Sequence, residues 1–489
     1  MKKKTAAFAL LSTLIFLFAG CGSMGGVPWY DPFSVVDEFG AESSREIVER
    51  DFVTAEQTPE ATFSLDANTA AYSIMRSRLN AGRGVDEDTV RIEEYINYFR
   101  YESYEAPEAG ESVRLNASLF DCPWNASHKL LRVGLRTEDL SFAQTRNNLV
   151  FLIDVSGSMY GEDRLGLVRE SFRLLLENLG EDDRVSIVTY ASGVKTRLSG
   201  ARGSEKTRIA AVIDELEAGG STSGESGIRT AYDVARQYFV SGGNNRVILA
   251  TDGDFNVGMS SPEELESLIR REAQSGVFLS VLGFGMGNTK DDVMETLALA
   301  GNGNYAYIDG LTEARRALVE SLNGTLKTVA KDAKALVRFD PARVARYRLI
   351  GYENKMITIE EWEDDQKDTG EIGAGLTVTA LFEIEPTGTE TDAAAGTFFM
   401  RYKDADGTSD QVLQKELSIA WEESESADDR FIACVAEFGL LLRESKYRGD
   451  ASFESVIQRL EDLDADYLGS DEFKSEFLTL VRKANQIYG

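Results

Sequence analysis

Cysteine, histidine and net positive charge are what this chain has least of. Three cysteines and a single histidine in 489 residues form no thiolate or imidazole cluster, which excludes the zinc and copper sites built from those ligands. So few thiols also exclude the disulfide framework of a small secreted domain. Cys122 and Cys434 stand far apart in sequence, and two readings stay open for them: a disulfide in an oxidising compartment, or two buried free thiols. His128 follows Ser127 with no nucleophile motif around it and is read as structural. Lys and Arg number 52 against 82 Asp and Glu, a formal net charge of −30. Phosphate contacts need clustered Lys and Arg, so nucleic acid and anionic lipid surfaces are excluded as the principal partner. Apolar residues are not lacking: at 43% they suffice for folded cores, and the length calls for about two to four domains.

What the chain does carry is the run LVFLIDVSGSM over residues 149–159. Its apolar part suits a buried parallel strand, and it stops at Asp154, Ser156 and Ser158, three oxygen-bearing side chains on alternate positions. Once the chain turns after a strand, such positions can aim at one point. Two later segments add donors: Thr222 follows a Gly-Gly turn just before an expected helix, and Asp252 ends the apolar run NRVILATDGD. In open parallel sheets, ligands gather at the carboxyl ends of strands. Carboxylate and hydroxyl oxygens suit a hard divalent ion, Mg²⁺ with Mn²⁺ or Ca²⁺ as alternatives.

These five positions, Asp154, Ser156, Ser158, Thr222 and Asp252, resemble the metal-ion-dependent adhesion site (MIDAS) of the von Willebrand factor type A (VWA) domain. The resemblance implies that the two serines and the threonine bind the ion directly when a partner is engaged, while the aspartates hold it mainly through water. An ion held by neutral hydroxyls keeps most of its positive charge, and its open position attracts a partner carboxylate. Two other patterns are set aside. Gly283, Gly285 and Gly287 lack the dinucleotide spacing and its acidic follower, and a turn at a strand end is expected there. Asp252, Asp254, Asn256 and Glu263 imitate a calcium loop but lack its glycine at the sixth position; Asp254 is left a tuning role beside the adhesion site. Asp404, Asp406 and Gly407 are read as a turn.

At the amino terminus, Lys2 to Lys4 precede an apolar stretch from Ala6 to Phe18 and the small residues Ala19 and Gly20 before Cys21. This resembles a bacterial lipoprotein signal, which implies cleavage and acylation of Cys21 and a lipid anchor in the envelope; a noncleaved anchor is the alternative. By resemblance to enterobacterial lipoproteins, Gly22 in place of Asp permits transport to an outer membrane, if the cell has one. The organisation expected is a signal segment over 1–20, a tether over 21–60, an N-terminal flank over 61–145, a VWA domain over 146–328 and a C-terminal domain over 329–489.

The central region alternates strand-like and helix-like stretches as an α/β, doubly wound, mainly parallel, Rossmann-like sheet requires. In the N-terminal flank, helices are expected over 68–79, capped by Asp66 or Asn68, and through TVRIEEYINYF, with strands at VRLNASLF and KLLRVGLRT. Beyond Lys327 the pattern changes to antiparallel strands and then three amphipathic helices. FSLDANTAAYS and VRIEEYINYF resemble the N-terminal flank, and YRLIGYENK and GEIGAGLTVTALFEI the C-terminal domain, of a bacterial family of VWA envelope proteins. The family's arrangement suggests that strands near 112–137 pair with strands after 333. The functional expectation is a metal-dependent protein-binding lipoprotein, an adhesion or scaffold module that captures an Asp or Glu of a protein partner, with no catalytic residue and no organic cofactor. Alternatives are a metal-dependent hydrolase, against which the absence of an evident general base counts, and a structural spacer whose ion serves stability.

Overall fold

The computed structural model describes residues 47–65, 68–139, 146–221, 224–253, 262–285, 291–320, 328–367, 369, 372–388, 393–404, 412–421 and 425–489. Statements of number or absence below refer to these described residues. Cys21, Thr222, Asp254, Asn256, Gly287, Asp406 and Gly407 lie outside them, as does Asp66.

The amino-terminal flank contributes strands β1 (Val53–Thr54) and β2 (Glu60–Ser64), helices α1 (Ala70–Asn80) and α2 (Ile92–Asn97), and strands β3 (Val113–Asp121) and β4 (Lys129–Thr137). The stretch expected as tether is structured from Ile47 onward: the Ile47 amide donates to Asp88 Oδ1 at 2.9 Å, and β1 and β2 both enter sheets described below. Helix α1 starts two residues later than expected, with Thr69 at its cap and no capping side chain. Asn68 is used elsewhere: its Nδ2 donates to Glu295 Oε1 at 3.0 Å, so a distant partner outcompetes the local cap.

The central region holds β5 (Asn147–Asp154), α3 (Leu167–Asn178), β6 (Arg184–Tyr190), β7 (Val194–Arg202), α4 (Lys206–Asp214), α5 (Gly224–Gln237), β8 (Asn244–Thr251), α6 (Pro262–Ala273), β9 (Phe278–Phe284), α7 (Asp291–Ala300), β10 (Tyr305–Ile308) and α8 (Leu311–Arg315). Strands β5 and β8 are buried at every position, the condition of a parallel strand covered on both faces. The sheet runs β10-β9-β8-β5-β6-β7. Its pairs are parallel except β6 with β7, which is antiparallel. Two apolar clusters cover its faces, one around Phe151, Phe172 and Ile209, the other around Leu152, Ile228 and Leu249. Strand β7 is absent from the sequence expectation: Lys195, Thr196 and Arg197 in it are exposed, so its pattern reads as a polar loop.

The remaining elements are β11 (Thr328–Phe339), β12 (Val344–Ile350), α9 (Ile359–Glu363), β13 (Ile372–Gly373), β14 (Thr377–Pro386), β15 (Gly396–Asp404), β16 (Val412–Ile419), α10 (Ala427–Leu442), α11 (Phe453–Glu461), α12 (Ala465–Gly469) and α13 (Glu472–Tyr488). They complete two antiparallel sheets with strands from the amino-terminal flank. One runs β1-β12-β14-β4-β3, and the other runs β13-β11-β15-β16 with β2 also on β11. Leu135 faces Val378 across β4 and β14, and Phe63 faces Ala335 across β2 and β11. Alternation along β4 sets the layers: Leu131, Val133 and Leu135 join the core between the two sheets, while Leu130 joins the helical layer formed by α1, α2, α10, α11 and α13.

Candidate functional site

The sheet order reverses between β5 and β8: from β5 the chain adds β6 on one side and later β8 on the other. Such a switch point opens a crevice beyond the carboxyl ends of the two strands. Asp154 is the last residue of β5, and Asp252 follows β8 directly. Both are 0% exposed. The Asp154 carboxylate is held in place, with Oδ1 accepting from the Ser156 amide at 2.8 Å and Oδ2 from the Thr251 hydroxyl at 3.3 Å. That contact from Oδ1 folds the loop back on itself and brings the Ser156 and Ser158 hydroxyls to 2.9 Å from each other.

The third loop is drawn in by backbone hydrogen bonds. The Gly219 amide donates to the Val155 carbonyl at 2.8 Å, and the Gly157 amide to the Gly220 carbonyl at 3.0 Å. The Ser221 amide donates to Ser192 Oγ at 3.0 Å. Gly220 has φ +92°, and a Cβ there would stand 2.4 Å from Ser192 Oγ, so the turn requires glycine twice over. The segment leading into Thr222 is thus tied to the Asp154 loop. Of the five expected ligands, four are described and gather at this crevice.

Burial pushes the Asp154 carboxyl up to about 6; hydrogen bonds from Ser156 oppose the rise and the charge of Asp252 adds to it. Burial also holds the Tyr190 phenol well above its usual range, with the Asp154 charge acting in the same direction. Two desolvated carboxylates side by side call for a cation. No group of three or more His, Cys, Asp or Glu that could hold a metal ion exists among the described residues, so hydroxyls must complete any ligand set here. The donors present are carboxylate and hydroxyl oxygens, the chemistry of a hard divalent ion. They fit such an ion. Arg164 also reaches the site: its Nη1 donates to the Ser158 carbonyl at 2.6 Å and lies 3.9 Å from Asp252 Oδ2.

Arg164, Ser192, Tyr190 and Thr251 were not legible as site residues. Ser192 meets Ser221 across 29 positions, and Arg164 is set among ordinary helix-start residues. His128, Cys122, Cys434 and Gly285, also singled out from sequence, have structural surroundings. His128 Nδ1 lies 2.6 Å from Glu383 Oε1, and its ring meets Phe52 edge-on at 5.3 Å. Cys122 and Cys434 are free and buried. Gly285 directly follows β9 at φ +76°, where the chain bends.

Three family models match. The von Willebrand factor type A domain covers residues 148–320, a von Willebrand factor model covers 38–132, and a model described as "Uncharacterized protein YfbK, C-terminal" covers 324–487. The Escherichia coli (strain K12) protein named "Uncharacterized protein YfbK" is 38% identical over 459 residues, which span 88% of this chain and 79% of that one. Inter-alpha-trypsin inhibitor heavy chain H3 of Mesocricetus auratus is 30% identical over 164 residues, 32% of this chain and 18% of that one. A solved structure described as von Willebrand factor type A from Catenulispora acidiphila is 15% identical, with 69% of this chain and 81% of that chain covered and a TM-score of 0.42.

Proposed function

This chain belongs to the family of the Escherichia coli protein YfbK, with a VWA domain at its centre, and from that membership we propose that it is a metal-ion-dependent protein-binding module, an adhesion or scaffold protein of the bacterial envelope. Domains of this type commonly mediate metal-dependent protein–protein contacts. One observation carries the reading: two fully buried carboxylates, Asp154 and Asp252, at the switch point of the sheet, beside two hydroxyls 2.9 Å apart.

Asp154, Ser156, Ser158, Thr222 and Asp252 would hold Mg²⁺, or Mn²⁺ or Ca²⁺ in its place. Bound there, the ion supplies a Lewis-acidic position for a partner's Asp or Glu. The hydroxyls of Ser156 and Ser158 leave its charge largely unneutralised, which favours capture of an anionic oxygen. Burial of Asp154 and Asp252 places the ion in a setting of low dielectric, where the attraction is less screened than in bulk water. Hydroxyl-rich coordination supports binding rather than turnover, because it favours capture of an anionic ligand over formation of a metal-bound hydroxide.

Calorimetric titration of Mg²⁺ into the purified chain tests the reading: saturable uptake that Asp154→Ala abolishes is expected, and no uptake of Mg²⁺, Mn²⁺ or Ca²⁺ would overturn it. Partner capture should then fail in EDTA. We further propose acylation at Cys21 as the attachment to the envelope, to an outer membrane where the cell has one. No helix among the described residues is long and apolar enough to cross a membrane. Mass spectrometry of the membrane-extracted protein should find a lipid on Cys21 that Cys21→Ser removes.

A further inference from the structure

The surroundings of Asp252 contain a cation that the five-residue pattern does not include. Arg164 Nη1 stands 3.9 Å from Asp252 Oδ2 while donating to the Ser158 carbonyl at 2.6 Å, so one guanidinium touches two of the three loops at the crevice. Its side chain is 21% exposed and that of Asp252 is 0% exposed, which leaves the contact little screened by water. The path of the side chain is built into the fold. A Cβ on Gly285, at the end of β9, would lie 2.4 Å from Arg164 Nε and 2.6 Å from Arg164 Cγ. The bare glycine makes room for the arginine to cross from the turn preceding α3 to the carboxyl end of β8.

We propose that Arg164 is a resident cation that competes with the divalent ion for Asp252 and thereby sets how tightly the site takes up metal. This rests on the metal-binding reading above. Without an ion, Asp154 and Asp252 repel each other inside the protein, and Arg164 offsets one of the two negative charges. Uptake then places a second cation near the guanidinium, and the like charges oppose each other. Arg164 therefore stabilises the ion-free protein and weakens its affinity for metal, by the same linkage that makes any two ligands of one site antagonists.

The test is calorimetry of Mg²⁺ and of Mn²⁺ with the full chain stripped by EDTA. Arg164→Gln keeps an amide donor for the Ser158 carbonyl and removes the charge; Arg164→Lys keeps the charge. One unit charge a few ångströms from a divalent ion matters by about tenfold in affinity even in a well-screened setting. Arg164→Gln should accordingly bind Mg²⁺ about tenfold more tightly than the wild type, with Arg164→Lys close to the wild type. In EDTA, Arg164→Gln should melt lower, and its melting temperature should rise more on adding Mg²⁺. Arg164→Met is a second probe should Arg164→Gln not fold: it removes the charge, keeps an unbranched stem along the bare Gly285, and should also tighten uptake. Wild-type uptake that Arg164→Gln or Arg164→Met leaves unchanged or weakens overturns this inference alone. Absence of uptake by the wild type and by both variants defeats the metal reading, and the inference with it.

Discussion

Asp154 shows how one residue can serve a site at the expense of the fold. Burial and the neighbouring Asp252 charge raise its carboxyl to about 6, so near neutral pH the ionised form is held in an environment that disfavours it. A shift of about two units corresponds to about 3 kcal/mol. Asp154→Asn keeps an oxygen to accept from the Ser156 amide and removes the charge. In EDTA at neutral pH it should raise stability to chemical denaturation by about 1–3 kcal/mol, while calorimetry finds metal uptake lost. Loss of both stability and uptake would mean that the carboxylate is not strained by its surroundings. Gly220→Ala should do the reverse of a silent change: at φ +92°, with Ser192 Oγ 2.4 Å from the new Cβ, it should cost about 1–2 kcal/mol and weaken uptake through the displaced Thr222 loop. Asp154, Ser156, Ser158 and Asp252 were legible in the sequence because side-chain chemistry at strand ends repeats in a short pattern. Ser192 and Arg164 were not, because what brings them to the site is the hairpin of β7 and the gap at Gly285, neither of which has a local signal.

Between elements, the amino-terminal helices are locked to the last strand and helix of the VWA domain by buried charge. Arg76 on α1 donates from Nε to Asp309 Oδ2 at 2.7 Å and from Nη2 to Glu313 Oε2 at 2.8 Å. Tyr98, directly after α2, donates its hydroxyl to the same Glu313 oxygen at 2.6 Å, and Arg316 donates to both Glu313 Oε1 and Thr69 Oγ1. The Arg76 and Glu313 side chains are 5% and 0% exposed. Removing one partner of such a network strands the others, so Arg76→Met should cost about 3–5 kcal/mol in urea unfolding. The pH dependence has a definite sign. Burial alone would raise the Glu313 carboxyl, but the charges of Arg316 and Arg76 overcome it and hold the group at about 2 against an ordinary 4.5. A depressed carboxylate stabilises fully above its unfolded value and loses that contribution as pH falls. The advantage of wild type over Glu313→Gln, about 3 kcal/mol at neutral pH, should therefore shrink as pH is lowered from 4.5 towards 2. Denaturation curves that keep the same gap at pH 3 would exclude this assignment. Helix periodicity announced α1 and α2 as elements, yet the polar residues Arg76, Glu93 and Glu94 on them are buried, which an apolar-face argument reads as solvent-facing.

At the scale of the molecule, sheet membership divides the chain differently from sequence order. Strands β5 to β10 pair only with one another among the described residues, whereas β4 runs along β14 and β2 along β11. We propose that residues 146–328 fold alone, and that the amino-terminal flank does not fold without the region after 329. Circular dichroism melts of the two fragments check this: a cooperative transition is expected for 146–328 and none for 61–145. A cooperative amino-terminal fragment would show that β3 and β4 need no partner from the carboxyl-terminal region. The sequence by itself determined the α/β character of the centre, the positions of most strands and helices, and the oxygen donors at two strand ends. It could do so because side-chain periodicity and turn chemistry act over a few residues. The pairing of β4 with β14 agrees with the expectation that strands near 112–137 pair with strands after 333, but only the tertiary structure decided that β2 joins β11, that Asn68 leaves its cap for Glu295, and that Arg164 lies beside Asp252. Those outcomes depend on contacts between residues tens to hundreds of positions apart, where packing and desolvation across the assembled layers choose among partners that look equivalent along the chain.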